Sequence, residues 1–279
     1  MTERRVAVLG TGLVDPDVPL LRADDLGVLR GDGIFETLLV RDGQPWLLDA
    51  HLARLARSAA RMDLPAPSAA AWQDLVATIV AGWPAADEGL LRLVCTRGPE
   101  EGGTPTAYAA LVAVPAEVMR QRRAGAHVVT RSLGLPAQVR RDAPWLLGGV
   151  KTISYAVAMA VLRDARRRGA DDVIWISVDG EVLEGPTASV VWAEEATLYT
   201  VPVDTGILDG TTVAHLMAEA PDHGFEVGVR RTTVADLHGA DAVWLLSSVR
   251  GAASVLSIDS RERGDAGLTS RVRTILGLC

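Results

Sequence analysis

Of the 28 lysine and arginine side chains in this 279-residue chain, 27 are arginine. The single lysine is Lys151, in GGVKTISYA (148–156). Arginine stays protonated under ordinary conditions. Lysine loses its proton once desolvated, and its amine then attacks a carbonyl to form a Schiff base. Ala, Gly, Pro and Arg are all abundant, a bias that replaces lysine wherever charge alone matters. A lysine kept against that bias is a candidate for chemistry arginine cannot do, set against the plain alternative of a chance surface residue.

Other segments carry matching chemistry. Glu184, in LEGPTAS, sits on a loop between two apolar runs, with Gly185 and Pro186 behind it fixing the turn. A carboxylate there suits a protonated heterocycle nitrogen. ILDGTT places Gly210, Thr211 and Thr212 at the start of a helical pattern, where N–H groups and hydroxyls make an anion site. Arg54, in HLARL, offers a fork for phosphate. Ser247-Ser248 closes the run AVWLL. Singly, Glu184 reads as a loop carboxylate, Arg54 as a surface helix residue and GTT as a helix start. Together they supply an amine, an acid for a pyridinium nitrogen and a phosphate cradle, the parts that hold pyridoxal phosphate.

The elements expected to position these groups follow from period and punctuation. IFETLLV (34–40) and PWLLD (45–49) flank Asp42-Gly43, a hairpin signal. Asp49 is expected to cap a helix over AHLARLARSAARM, with Leu52 and Leu55 on one face. A second helix is expected near 68–82, then strands at 90–97 and 106–114. The charged segment PAEVMRQRRAGA reads as the domain boundary. A strand near 126–132 and a helix over 154–168 ending at Gly169 follow. VIWISV, SVVWAE and TLYTV read as a meander, with a turn at Asp179-Gly180. A helix from 211, a strand over FEVGVRR, a short helix over VADLHGA and strands over AVWLLSSV and SVLSI complete the pattern. The reading is two domains, residues 1–118 and 119–279, the second rich in strands.

The composition excludes several classes. Net charge is −7, so no basic face dominates and no nucleic-acid partner is expected. The cluster around Arg163 and Arg166 to Arg168 ends a helical pattern, where cations suit the dipole. Cys95 and Cys279 do not make a disulfide framework, so the chain reads as cytoplasmic. No signal peptide or membrane span is expected.

At this point the chain resembles the class IV, fold-type IV pyridoxal-phosphate enzymes, which include branched-chain and D-amino-acid aminotransferases and aminodeoxychorismate lyase. RGDGIFETLLVRDGQPWLLDAHLARL resembles their N-terminal signature, VKTISYA their lysine segment and DGEVLEGPTASVVW their glutamate segment. ILDGTT and LLSSV resemble their phosphate loops. The resemblance implies an α+β fold of two domains, a small N-terminal α/β domain and a larger C-terminal pseudo-barrel, usually a homodimer with sites at the domain interface. It implies pyridoxal 5'-phosphate as cofactor. Lys151 matches the cofactor-bonding lysine and Glu184 the residue facing the pyridine nitrogen. Arg54, the Thr211 backbone, the Thr212 hydroxyl and Ser248 match the phosphate contacts. Tyr155 lies where some members hold a tyrosine near the cofactor's phenolic oxygen; branched-chain enzymes place it one residue later. Asp209 stands where many members have proline, and Ser248 where many have threonine.

Substrate contacts separate the members. D-amino-acid enzymes carry Arg-x-His after the TRG strand, and this chain reads TRGPEEGGTPTAY. Branched-chain enzymes place a tyrosine two residues before the strand's arginine, where Leu90 stands before Arg92. LRLVCTRG resembles the lyase pattern, with Arg92 and Arg97 suited to a substrate bearing two carboxylates, and a structural ion pair as the other reading of Arg97. The resemblance therefore implies 4-amino-4-deoxychorismate lyase, giving 4-aminobenzoate and pyruvate from a chorismate-derived amine in folate synthesis. A class IV aminotransferase using the same Lys151 is the alternative.

Overall fold

A computed structural model describes residues 4–101, 103–265 and 267–278. Cys279 lies outside the described residues. The chain forms two compact units. The first holds residues up to Pro115 together with Val150–Tyr155; the second holds Ala116–Gly149 and Ala156 onward.

The first unit contains β1 (Arg4–Val8), β2 (Gly12–Val14), α1 (Leu26–Arg30), β3 (Gly33–Arg41), β4 (Gln44–Pro45), α2 (Leu48–Arg61), α3 (Ala69–Val80), β5 (Gly89–Thr96) and β6 (Thr106–Ala113). The strands form an antiparallel sheet in the order β2-β1-β6-β5-β3-β4. Alternation sorts its two faces. Ile34, Leu38, Leu91, Leu93, Ala109 and Leu111 face a core completed by Leu52 and Leu55 of α2 and Trp72, Leu75 and Ile79 of α3. Phe35, Thr37, Arg92 and Tyr108 occupy the alternate positions and remain partly or fully exposed.

Asp42 and Gly43 both have positive φ (51° and 69°), as the tight β3–β4 turn requires. Beyond it the sequence expectation is corrected. β4 ends at Pro45, and α2 starts at Leu48 after a left-handed Leu47. Asp49 is thus inside the first turn, where its charge suits the helix dipole, and does not cap it.

The second unit begins with α4 (Ala116–Ala124), within the charged segment read as the domain boundary. Its charges are solvated on one side, while the buried Arg122 donates to the Val249 carbonyl. There follow β7 (Ala126–Ser132), α5 (Val139–Asp142), α6 (Ala156–Arg167), β8 (Asp172–Ile176), β9 (Ser189–Glu194), β10 (Thr197–Thr200) and α7 (Thr211–Glu219). Then come β11 (Glu226–Val229), α8 (Val234–Gly239), β12 (Ala242–Ser247), β13 (Gly251–Ile258), β14 (Arg261–Glu262) and α9 (Leu268–Ile275). The strand order is β11-β10-β9-β12-β13-β7-β8, with β14 on β13. The sheet curls to closure. Residues 181–184 fold back on β8, with Leu183 N–H donating to the Trp175 carbonyl and Trp175 N–H to the Glu184 carbonyl. Val182 N–H then donates to the carbonyl of Thr232, just beyond β11. This is the expected pseudo-barrel. Val190, Trp192, Val243, Leu245 and Val255 fill it. Trp244, on the alternate face of β12, is also fully buried and donates its indole N–H to Thr269 of α9 at 2.8 Å. Burial on both faces explains the unbroken apolar runs AVWLL and SVVWA.

The expected division into two contiguous stretches misses one feature. Val150–Tyr155 returns to the first unit because its backbone adds to β3 through an Ile34–Thr152 bridge and an Ile153 N–H to Gly33 carbonyl bond of 3.0 Å.

Candidate active site

Lys151 is held by its backbone before its side chain is considered. Phe35 N–H donates to the Lys151 carbonyl at 3.1 Å, and Lys151 N–H donates to Ser58 Oγ at 3.2 Å. A strand from one side and a helix from the other thus fix the lysine's backbone. Its Nζ stands 4.6 Å from the Phe35 ring centroid and 5.9 Å from that of Tyr155. The two rings meet edge to face at 5.1 Å and 79°. Ring faces stabilise an ammonium while excluding water from it. In the second unit, the preceding Gly148 is required by close approach, since a Cβ there would lie 2.8 Å from Arg140 Cβ. This is the physical content of GGVK.

The buried face of α2 carries three polar side chains, His51, Arg54 and Ser58. Arg54 grips Glu36 of β3 with two bonds, Nε to Oε1 and Nη2 to Oε2, both 2.7 Å. His51 Nδ1 lies 2.7 Å from the same Oε2. Glu36 and His51 have no solvent exposure and Arg54 has 4%. Burial on its own would raise the Glu36 carboxyl, but the hydrogen bonds from Arg54 and His51 prevail and hold it down at about 2. Burial pushes His51 below its ordinary value, so it is the neutral ring that donates to Glu36.

In the second unit, Glu184 Oε2 accepts from Leu208 N–H at 3.0 Å, and its Oε1 lies 3.5 Å from Arg140 Nη1. The carboxylate is therefore anchored by both the ILDGTT loop and α5. α7 starts at Thr211 with Gly210 at the N-cap and no side-chain cap. A Cβ at Gly210 would lie 2.7 Å from Ser189 Oγ. Thr212 Oγ1 and Ser248 Oγ are 3.4 Å apart and both residues are buried. Arg250, just after them, bonds Asp172 at 2.6 Å and Thr187 at 3.2 Å, tying the turn after β12 to the loop that carries Glu184.

The two proposed substrate arginines differ. Arg92 is exposed on the open face of the first sheet, paired in register with Thr37 and Ala110, one row along from Phe35. Arg97 donates to Asp32 at 2.6 Å and to the carbonyls of Met62 and Asp63 at 2.7 and 3.1 Å. It ties β5 to the end of α2, which is the structural ion-pair reading. Cys95 is fully buried, and burial raises its thiol to about 11, so it offers no reactive thiolate.

Glu36, His51, Ser58 and Arg140 were not singled out from the sequence. One signal was present for Glu36: in IFETLLV it shares the alternation of Ile34 and Leu38, so it faces the core. For Arg140 there was none. Among the described residues no group of three His, Cys, Asp or Glu could hold a metal. No helix there is long and apolar enough to cross a membrane.

The donor set fits pyridoxal phosphate by its chemistry. Lys151 offers an amine that could bond an aldehyde, and Glu184 an anchored carboxylate that could face a ring nitrogen. A helix start with glycine at its N-cap beside two buried hydroxyls, and a buried guanidinium, are donors of the kind that suit phosphate.

Comparison with known proteins agrees. Residues 33–258 match the model of the amino-transferase class IV family. The chain is 47% identical over 265 residues to the bifunctional aminodeoxychorismate lyase / D-amino acid transaminase of Mycobacterium tuberculosis, covering 92% of each. It superposes with a TM-score of 0.95 on the pyridoxal-phosphate-bound form of a hypothetical aminotransferase from Mycobacterium tuberculosis, at 44% identity, covering 99% of this chain and 98% of that one. With 4-amino-4-deoxychorismate lyase from Pseudomonas aeruginosa the TM-score is 0.77 at 26% identity, covering 97% of each. With its lysine, its carboxylate and its phosphate-type donors in the segments that match, the chain belongs to the class IV aminotransferase family and is a pyridoxal-phosphate-dependent enzyme, a lyase or an aminotransferase.

Proposed function

We propose that this enzyme is a 4-amino-4-deoxychorismate lyase that supplies 4-aminobenzoate for folate synthesis, working as a homodimer. The observation that carries the reading is the 47% identity, along 92% of the chain, to a relative named for that lyase activity. Arg92 supports it, as an exposed cation one row from Phe35 and able to take a substrate carboxylate.

Bound, the cofactor supplies a carbonyl that takes up an amine and a ring that accepts electron density. Lys151 Nζ is the amine that would hold that carbonyl, and a substrate amine would take its place. Released, Nζ removes the proton from the amine-bearing carbon. Glu184, fixed by Leu208 N–H and Arg140, holds the proton on the ring nitrogen. Arg54 would bind phosphate through its guanidinium, and the Thr211 backbone, Thr212 and Ser248 would bind it through N–H and hydroxyl groups; the Tyr155 ring centroid lies 5.9 Å from Lys151 Nζ. Protonation of the departing enolpyruvyl group is again assigned to Lys151. The substrate becomes 4-aminobenzoate and pyruvate with no atom gained or lost.

A second reading is favoured by the same relative's other name, D-amino acid transaminase. It stands despite the missing Arg-x-His. There Lys151 Nζ would take the proton from the substrate carbon and hand it on, with no group leaving the substrate. The test is to supply aminodeoxychorismate to the purified holoenzyme and measure 4-aminobenzoate and pyruvate. D-alanine and branched-chain amino acids, each with a 2-oxo acid, run in parallel. Equimolar 4-aminobenzoate and pyruvate are expected; transamination without them would overturn the lyase reading.

A further inference from the structure

Glu36 has no place in the chemistry above, yet it is fully buried and bonded to two charged or ring side chains of α2. It lies on the core face of β3 between Ile34 and Leu38, with no solvent exposure. A carboxylate there is strongly destabilising unless fully partnered. Three bonds of 2.7 Å partner it, two from Arg54 and one from His51. If the cluster served packing alone, an apolar side chain in the alternation of IFETLLV would do as well.

The geometry of the grip indicates its use. A guanidinium is planar and rigid, so fixing Nε and one Nη fixes the whole group. Held side-on through Nε and Nη2, the end of the Arg54 plane points away from Glu36. A free arginine side chain has many rotamers, and ordering it on an anion costs affinity. Here that ordering is already done in the fold. His51 completes the clamp: buried beside Arg54, it serves as a neutral donor and fixes the second carboxylate oxygen without adding charge.

We propose that Glu36, clamped by His51, is a positioning residue that pre-orients the Arg54 guanidinium for the cofactor's phosphate. The inference rests on Arg54 being a phosphate contact. It assigns Glu36 to the binding of one group of the cofactor, acting through Arg54 and touching neither ring nor substrate.

The test separates the phosphate from the rest of the cofactor. Cofactor-free protein is titrated with pyridoxal phosphate and with pyridoxal, which lacks the phosphate, following the absorbance change on binding to Lys151. In Glu36→Gln, affinity for pyridoxal phosphate is expected to fall roughly 10- to 100-fold, the scale of a misaligned charge-assisted hydrogen bond. Affinity for pyridoxal is expected to change less than about 2-fold. Arg54→Met should lose the same preference, and the double variant should be no worse than Arg54→Met alone. Equal losses for both ligands in Glu36→Gln, or none, would overturn the proposal. Full retention of the phosphate preference in Arg54→Met would instead overturn the reading of Arg54. If Glu36→Gln does not fold, Glu36→Asp keeps the charge with a shorter reach and is read identically, with a smaller selective loss expected. An unchanged preference in Glu36→Asp would then count against the proposal.

Discussion

Lys151 shows why residue identity outranks charge at one position only. Its backbone bonds to Phe35 and Ser58 would be available to any residue, and its ring contacts would suit an arginine. What arginine lacks is the ability to lose a proton and attack a carbonyl. Lys151→Arg is expected to keep the fold and lower turnover by at least ~10³-fold, measured as product formation. Borohydride reduction of the wild-type holoenzyme should leave one pyridoxyl group per chain, on the peptide containing Lys151. The two candidate substrate arginines separate by the same logic of partners. Arg92→Gln is expected to raise KM with little effect on melting. Arg97→Gln is expected to lower stability by about 1 kcal/mol, because it abandons Asp32 and the two carbonyls just past α2, with KM nearly unchanged. Paired kinetics and melting curves check both; a higher KM in Arg97→Gln would return it to the substrate.

At the scale of elements, α2 is the part whose two faces differ most in purpose. Leu52, Leu55 and Ala59 fill the core, while His51, Arg54 and Ser58 spend their buried polar atoms on β3 and on the lysine segment. A polar stripe on a buried helix face is costly unless each atom is partnered. Ser58→Ala removes the acceptor of Lys151 N–H. It is expected to cost about 1 kcal/mol of stability and to lower turnover more than KM, since the amine's backbone loses one of its two anchors. Kinetics beside a denaturant melt would show it; unchanged turnover would mean that the β3 bond alone suffices.

For the whole molecule, the buried cluster sets a pH dependence of stability. His51 is held neutral below its ordinary value, so as pH falls through about 6.5 the unfolded chain takes up a proton that the folded chain resists. Glu36 is held at about 2 against an ordinary value near 4.5, so it stabilises the fold above that range and the contribution drains away as pH falls toward 2. Both act in one direction: stability should decline from pH 6.5 downward and more steeply below 4.5. Glu36→Gln, less stable at neutral pH, should show a flatter acid limb in thermal melts from pH 7 to 3. A parallel acid limb in the variant would show that other carboxylates dominate.

The amino-acid sequence by itself determined the chemistry on offer. The lone Lys151, the loop Glu184, the GTT helix start, the Asp42-Gly43 turn and the apolar runs of the second unit are local signals: side-chain chemistry, φ preference or period along a few residues. It also carried the fold, because the segments resembling the class IV enzymes span the chain. Tertiary structure decided which side chains meet. Glu36 and Arg54 are 18 positions apart, Arg140 and Glu184 44, and Lys151 and Ser58 93. No propensity reports such pairings, because they arise where a strand face closes on a helix or a loop returns. The same holds for Arg97, whose type fitted a carboxylate ligand and whose neighbours made it a tie to α2. It holds too for Arg122 of α4, in the charged segment read as the domain boundary, whose side chain turns inward to a carbonyl far along the chain. Residue type limits what a position can do; the partners that folding brings decide which of those things it does.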